Sequence, residues 1–321
     1  MFTSVEMCSG AGGMALGFAE AGFAPRLLFD RDPQACETVR SNRPDWDVRE
    51  LDLLGFEPTP ESGLFDVDLL AGGLPRVRSS ATRARAESEV EMRLLREAVS
   101  LASLIQPRAV VIENVPDLAT SPGYREFRDE LGAELSQAGY QCRWGELNAL
   151  DFLVPQKRQH GFVVALRPAD FLHFHWPAQL PGRPATVGET LGDSMGSRGW
   201  TGATEWAVNA ADHAPAIVGG SSGRGGADLG PSGSKAAWRK LGVEGKSIAD
   251  EVPGPEGPRD HGGRSLDHPM LTVRQVMALQ GFPDSWRVGG AKTAAYRQVG
   301  HACPPPVARA IGQALVEAFG G

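Results

Sequence analysis

Between residues 2 and 165, short apolar runs alternate with stretches whose apolar positions recur every three or four residues, and few folds accept that alternation. FTSVEM reads as a strand, residues 14–21 as a helix, RLLFD as a strand, 33–42 as a helix and DLLAGG as a strand. Residues 89–105 follow as a helix with Leu94, Leu95, Ala98, Leu101, Ala102 and Ile105 on one face. RAVVIENV is then a strand, 124–139 a helix and HGFVVAL a strand. Strands joined through helices lie parallel and need cover on both faces, so the pattern predicts an α/β fold with a doubly wound, mostly parallel sheet. Gly22 and Pro25 end the first helix, and Asp32 with Pro33 caps the second.

A chain of 321 residues has room for such a domain and a smaller one. From 168 to 268 the composition turns to Gly, Pro, Ser and Trp, with VGGSSGRGGADLGPSGSK at 218–235. This predicts a small irregular domain anchored by Trp176, Trp200, Trp206 and Trp238. Residues 269–321 are helical again and are expected to return to the first domain, which spans 1–167. The net charge of −7 leaves any nucleic acid to be held by a local basic patch. Cys8, Cys36, Cys142 and Cys303 lack the spacing of a zinc site or a disulfide framework, so a reduced, cytoplasmic protein without a metal is expected. No basic segment precedes an apolar run at the amino terminus and no run of about 18 apolar residues occurs, which predicts neither export nor a membrane partner.

Directly after the first strand, Gly10, Gly12 and Ala15 fit G-x-G-x-x-A, and Asp30 closes the second strand. A nicotinamide dinucleotide site uses this geometry. An S-adenosylmethionine site uses it too, and so does a tight strand-to-helix turn that binds nothing. The turn alone leaves all three open.

The order of segments along the whole chain resembles the DNA cytosine-5 methyltransferase family. SVEMCSGAGGMALGFAEAGF is similar to its first motif and FDRDPQACETVRSNRP to its second. DLLAGG opens the catalytic loop, VVIENV carries the glutamate, and VPQKRQHGFVVAL resembles Q-x-R-x-R. LTVRQVMALQGFPDSW and YRQVGHACPPPVARAIG resemble the ninth and tenth motifs. The resemblance implies a Rossmann-like methyltransferase of restriction-modification type. It implies S-adenosyl-L-methionine held by Cys8, Ser9, Gly10, Gly12, Gly13, Asp30, Arg31, Asp52, Leu53, Gly72, His301 and Cys303. It also implies double-stranded DNA as partner, with the target base flipped out and gripped by Glu113, Arg158 at its O2, and residues 168–268 recognising the site.

The departures are chemical. Where the family reads G-G-P-P-C-Q, this chain reads Gly72, Gly73, Leu74, Pro75, Arg76, Val77, so Arg76 stands at the nucleophile's place. A guanidinium stays protonated and has no lone pair to add to cytosine C6. Ser79 and Ser80 offer hydroxyls but no neighbouring base. His160 replaces the second arginine of Q-x-R-x-R, and His301 stands where the tenth motif usually has asparagine. Glu113 is either the base-gripping acid or a cap for the next helix. Arg78, Ser80, Arg83 and Arg85 form a phosphate clamp or a solvated loop, and Arg224 faces a groove or solvent. The expectation is a protein that binds S-adenosylmethionine and DNA but methylates poorly or not at all, acting beside an active methyltransferase or another restriction-modification component. The alternatives are a methyltransferase working on DNA or RNA by an altered route and, from the glycine turn alone, a nicotinamide-dependent enzyme.

Overall fold

The computed structural model describes residues 1–77, 89–219 and 226–320, the side chain of Glu61 excepted. In the first compact unit, β1 (Phe2–Met7) pairs in parallel with β2 (Phe23–Asp30) on one side and β4 (Leu69–Gly73) on the other. Beyond β2 lies β3 (Val48–Glu50), and beyond β4 lies β5 (Ala109–Asn114), all parallel. β6 (Gln141–Asn148) is followed by the two-residue β7 (Gln156–Lys157) and by β8 (Gln159–Leu166). β8 pairs antiparallel with both β5 and β6, which completes a seven-stranded sheet of order β3-β2-β1-β4-β5-β8-β6. The sheet is mostly parallel, as the alternation requires, and its antiparallel edge comes from β6, a strand absent from the sequence reading.

Side-chain alternation sorts the sheet into two faces. Val5, Met7, Leu27, Phe29, Leu70, Val110, Ile112, Val163 and Ala165 form a core with α3 (Glu89–Ile105) and α5 (Arg125–Gln137). Arg26 is an extra residue in β2, because Ser4 pairs with Pro25 and Val5 with Leu27. That bulge switches parity, so Phe23 shares the face of Phe2 instead of that of Phe29. There Phe2 and Phe23 meet Phe319 of the carboxyl-terminal helix Pro305–Gly320, with ring centroids 5.0 and 6.3 Å apart. The same helix approaches α1 (Gly13–Glu20) so closely that a Cβ on Gly312 would lie 2.6 Å from that of Ala21. α2 (Pro33–Asn42) begins where expected, with Pro33 in its first turn and Asp32 Oδ1 accepting from Gln34 N at 2.9 Å. The short α4 (Pro116–Thr120) and α6 (Pro168–Phe171) follow β5 and β8.

By contacts, this unit comprises Met1–Asn148, Gln159–Ala178 and Val307–Gly321, and a second unit comprises Ala149–Arg158 and Gln179–Pro306. Of the segment 269–321, residues 269–306 therefore cluster with the second unit and the remainder with the first. The second unit holds α7 (Val187–Gly196), α8 (Ala203–Asn209), α9 (Ser232–Lys240), α10 (Val273–Leu279) and α11 (Lys292–His301). Its β7 pairs in parallel with β9 (Ala214–Pro215). Trp238 is fully buried in this unit, and Trp206 is nearly so, its Nε1 donating to Gly242 O at 2.8 Å. Trp176 is no anchor here, because it belongs to the first unit and packs against Gly145 and Phe174. Among the described residues no helix is long and apolar enough to cross a membrane.

Gly161 in β8 is a point where only hydrogen fits, since a Cβ there would lie 2.3 Å from Val115 O at the entry to α4. Gly161→Ala is expected to lower stability by about 1–3 kcal/mol through overpacking. Gly132→Ala in α5, where nothing lies within 4 Å of the new Cβ, is expected to raise it by about 0.5–1 kcal/mol. Urea unfolding of the two variants beside the native chain measures both.

Candidate functional site

Parallel register brings four segments to one edge of the first unit's sheet. Met7 is level with Phe29 and Gly72, and Gly73 with Glu113, so the segments after β1, β2, β4 and β5 emerge side by side at the strands' carboxyl ends. Ligands of open α/β sheets bind at such an edge.

The turn after β1 is held in an unusual conformation. Cys8 has φ 50°, Gly10 φ 51° and Gly12 φ 78°; the left-handed region suits glycine and costs Cys8 strain of about 1–3 kcal/mol. Asp30 fastens the turn from β2, its Oδ2 accepting from Gly10 N and its Oδ1 from Asp32 N, both at 2.9 Å. Ser9 N donates to Phe29 O at 3.1 Å and Gly12 N to Ser9 O at 2.8 Å. Beside the turn, Glu6 is buried in β1, and burial followed by the charge of Asp30 holds its carboxyl well above the usual range. Burial also raises Asp30, against the lowering effect of its two amide donors. Glu6 Oε2 and Ser9 Oγ are buried without a hydrogen-bond partner among the described residues. Arg31 and Asp52 are exposed, Leu53 is buried, and Asp52 Oδ1 accepts from Leu54 N at 3.0 Å.

On the other side of the same edge, Arg76 turns inward. Its Nη2 lies 3.4 Å from Glu113 Oε1, and His160 Nδ1 approaches the same oxygen to 2.7 Å. Glu113 is 2% and His160 0% exposed, while Arg76 keeps 27%. With Glu113 ionised, the imidazole donates through Nδ1. Asn114 sets this geometry: its Oδ1 accepts from Val77 N at 3.0 Å, and its Nδ2 donates to Leu74 O at 3.3 Å and Pro75 O at 3.2 Å. Leu74 and Val77, on either side, are buried in the core. The loop is thus clamped on both sides of Arg76.

Glu113 and Arg76 are brought together, whereas Arg158 belongs to the second unit, where its buried guanidinium donates to Gly300 O at 3.0 Å. His301 and Cys303 are in that unit as well; the His301 ring lies against Gly219, and Cys303 is buried. Arg78, Ser80, Arg83, Arg85 and Arg224, the DNA-binding candidates, lie outside the described residues. So does Ser79. Three participants escaped the sequence reading: Glu6 as a buried acid beside the turn, His160 as the partner of Glu113, and Asn114 as the loop's clamp. A charged residue flanked by apolar ones in a central strand was the available signal for Glu6.

A Rossmann-like sheet with a glycine turn and a buried acid at its carboxyl edge defines a nucleotide-cofactor domain of methyltransferase type. The model of C-5 cytosine-specific DNA methylases matches residues 2–317, and the chain belongs to that family. The type II methyltransferase M.NaeI of Lentzea aerocolonigenes is 41% identical over 97% of this chain and 74% of its own length. M.NgoMIV of Neisseria gonorrhoeae is 37% identical over 99% of this chain and 98% of its own. Among solved structures, the Dnmt2 methyltransferase of S. pombe shares the fold with a TM-score of 0.64 at 17% identity, each chain covered completely. The family's methyl donor is S-adenosyl-L-methionine, and the turn fits it: the cofactor's ammonium is a donor that the orphaned Glu6 Oε2 and Ser9 Oγ can accept.

Because Glu6 holds its proton more tightly folded than unfolded, the fold loses stability as pH rises from its ordinary value of 4.5 through the raised one. Glu6→Gln should remove that decline. Urea midpoints taken from about pH 5 to 8 are expected to fall less steeply for the variant than for the native chain, with the gap widest at the alkaline end.

Proposed function

We propose that this chain binds S-adenosylmethionine and duplex DNA as its family does, and that it has lost covalent catalysis. Cytosine C5 takes a methyl group only after a nucleophile has added to C6. S-adenosylmethionine brings the electrophilic methyl; Glu6 and Ser9, whose Oε2 and Oγ beside the turn are left without a partner among the described residues, would hold it, with Asp30 and Asp52 toward the nucleoside. What the chain does not bring is the thiolate. Arg76 stands at its place, always protonated, and burial pushes Cys8 up to about 12 and Cys142 to about 11, so neither supplies a thiolate at neutral pH. The inward placement of the Arg76 guanidinium against Glu113 is the observation that carries this reading.

The second unit, which holds residues 179–268 of the recognition segment, is proposed to face the DNA. Every lysine of the chain falls in that unit: Lys157, Lys235, Lys240, Lys246 and Lys292. A protein of this kind would occupy sites of an active methyltransferase or assist one within a restriction-modification system. The high identity to proteins named as type II methyltransferases, over nearly the whole chain, favours a second reading in which methylation proceeds by another route.

Radiolabelled S-adenosylmethionine and mixed-sequence duplex DNA separate the two. The native chain is expected to retain the cofactor and leave the DNA unlabelled, and Arg76→Cys to transfer label to DNA. Label on DNA from the native chain would overturn the loss of catalysis.

A further inference from the structure

We propose that Arg76 is a built-in occupant of the Glu113 pocket, taking the position of a base's donor edge, so that the chain grips duplex DNA with its bases left stacked. The inference rests on the DNA-binding reading above and goes beyond it, since a merely missing nucleophile would leave the pocket open to a flipped base.

An ionised carboxylate only accepts hydrogen bonds, and a flipped cytosine would answer it with the exocyclic amine and, when protonated, N3. A guanidinium presents the same planar edge of N–H groups around a shared positive charge. Its Nη2 already lies 3.4 Å from Glu113 Oε1, and His160 Nδ1 lies 2.7 Å from that oxygen, so two cation-capable donors converge on the atom a base would need. The backbone that carries this side chain is held on both sides. Asn114 ties the backbone before Arg76 through Leu74 O and Pro75 O, and the backbone after it through Val77 N. Leu74 and Val77 are anchored in the core at 1% and 7% exposure. Withdrawing Arg76 would leave a carboxylate at 2% exposure with less compensation, a penalty a flipped base must overcome in addition to its own unstacking.

Extrusion is easiest for a base that is already mispaired, so preference for mismatched DNA reports on flipping without knowledge of the target site. The full chain and Arg76→Ala would each be mixed with randomised-flank duplexes, half with a central cytosine paired to guanine and half with it facing adenine, and the retained DNA counted by sequencing. The native chain is expected to retain the two classes equally within about twofold, and Arg76→Ala to enrich the mismatched class at least about tenfold. Arg76→Gln, which keeps much of the bulk and removes the charge, is expected to fall between them, and thermal melting of each variant certifies that it is folded. Tenfold enrichment of mismatches by the native chain would overturn the proposal while leaving DNA binding intact. So would folded Arg76→Ala without preference, or with weakened binding of both classes and a shallower salt dependence, which would make Arg76 a phosphate contact. Failure of the native chain to retain either class at low salt would sink the DNA-binding reading itself, and this proposal with it.

Discussion

The amide of Asn114 is the fastening on which the site depends. Successive residues of a strand point to opposite faces, so β5 can place the Glu113 carboxylate on one side and the Asn114 amide on the other. The amide reaches the loop after β4 and holds three of its backbone groups, each bond worth about 1 kcal/mol net, with a larger penalty if the buried amide is left unpaired. The loop's course is therefore dictated by a central strand, and it carries the backbone of residue 76 past Glu113, where the Arg76 guanidinium reaches the carboxylate. In this chain the delivered group is a cation. Displacing it would leave the buried Glu113 carboxylate with His160 as a remaining cation-capable neighbour, a cost that adds to the unstacking of any base brought to it.

The cofactor side of the edge follows a similar logic with the opposite outcome. Asp30 spends one lone pair of each oxygen on a backbone amide, which fixes the turn and the start of α2. Each carboxylate oxygen keeps a second lone pair, so holding the turn and accepting from ribose hydroxyls are compatible roles. The left-handed Cys8 is retained because Ser9 N and Gly10 N are both fastened to β2. The turn thus presents a fixed backbone with acceptor oxygens beside it, while the neighbouring loop presents the Arg76 guanidinium.

Much of the first unit was legible in the sequence because it obeys simple periods. The helix expected at 89–105 is α3 to the residue, and Asp32 with Pro33 begins α2 as read. β6 escaped because QCRWGELN alternates poorly, its burial arising from β8 and α5. α11 lies within the stretch read as helical but was not separated as an element of its own, because Gly300 and the polar positions in KTAAYRQVGH dilute its apolar stripe, although Tyr296 and Val299 are buried. Trp176 was assigned to the wrong body because composition changes near residue 168, while the segment Gln159–Ala178 still belongs to the first unit. At the site, residue identity placed an arginine at position 76, but its direction depends on hydrogen bonds between segments 37 to 40 residues apart, which no local pattern encodes.

The first unit is assembled from three pieces of chain, the last of them Val307–Gly321. The helix Pro305–Gly320 covers the face formed by Phe2, Phe23 and α1, so these residues have their apolar cover far downstream in the chain. During synthesis that face waits through the whole of the second unit, and contacts of such long sequence separation are slow to close. The insertion that gives the chain a second body thus leaves the nascent sheet with an exposed apolar flank, a period in which chaperone occupancy and aggregation compete with folding.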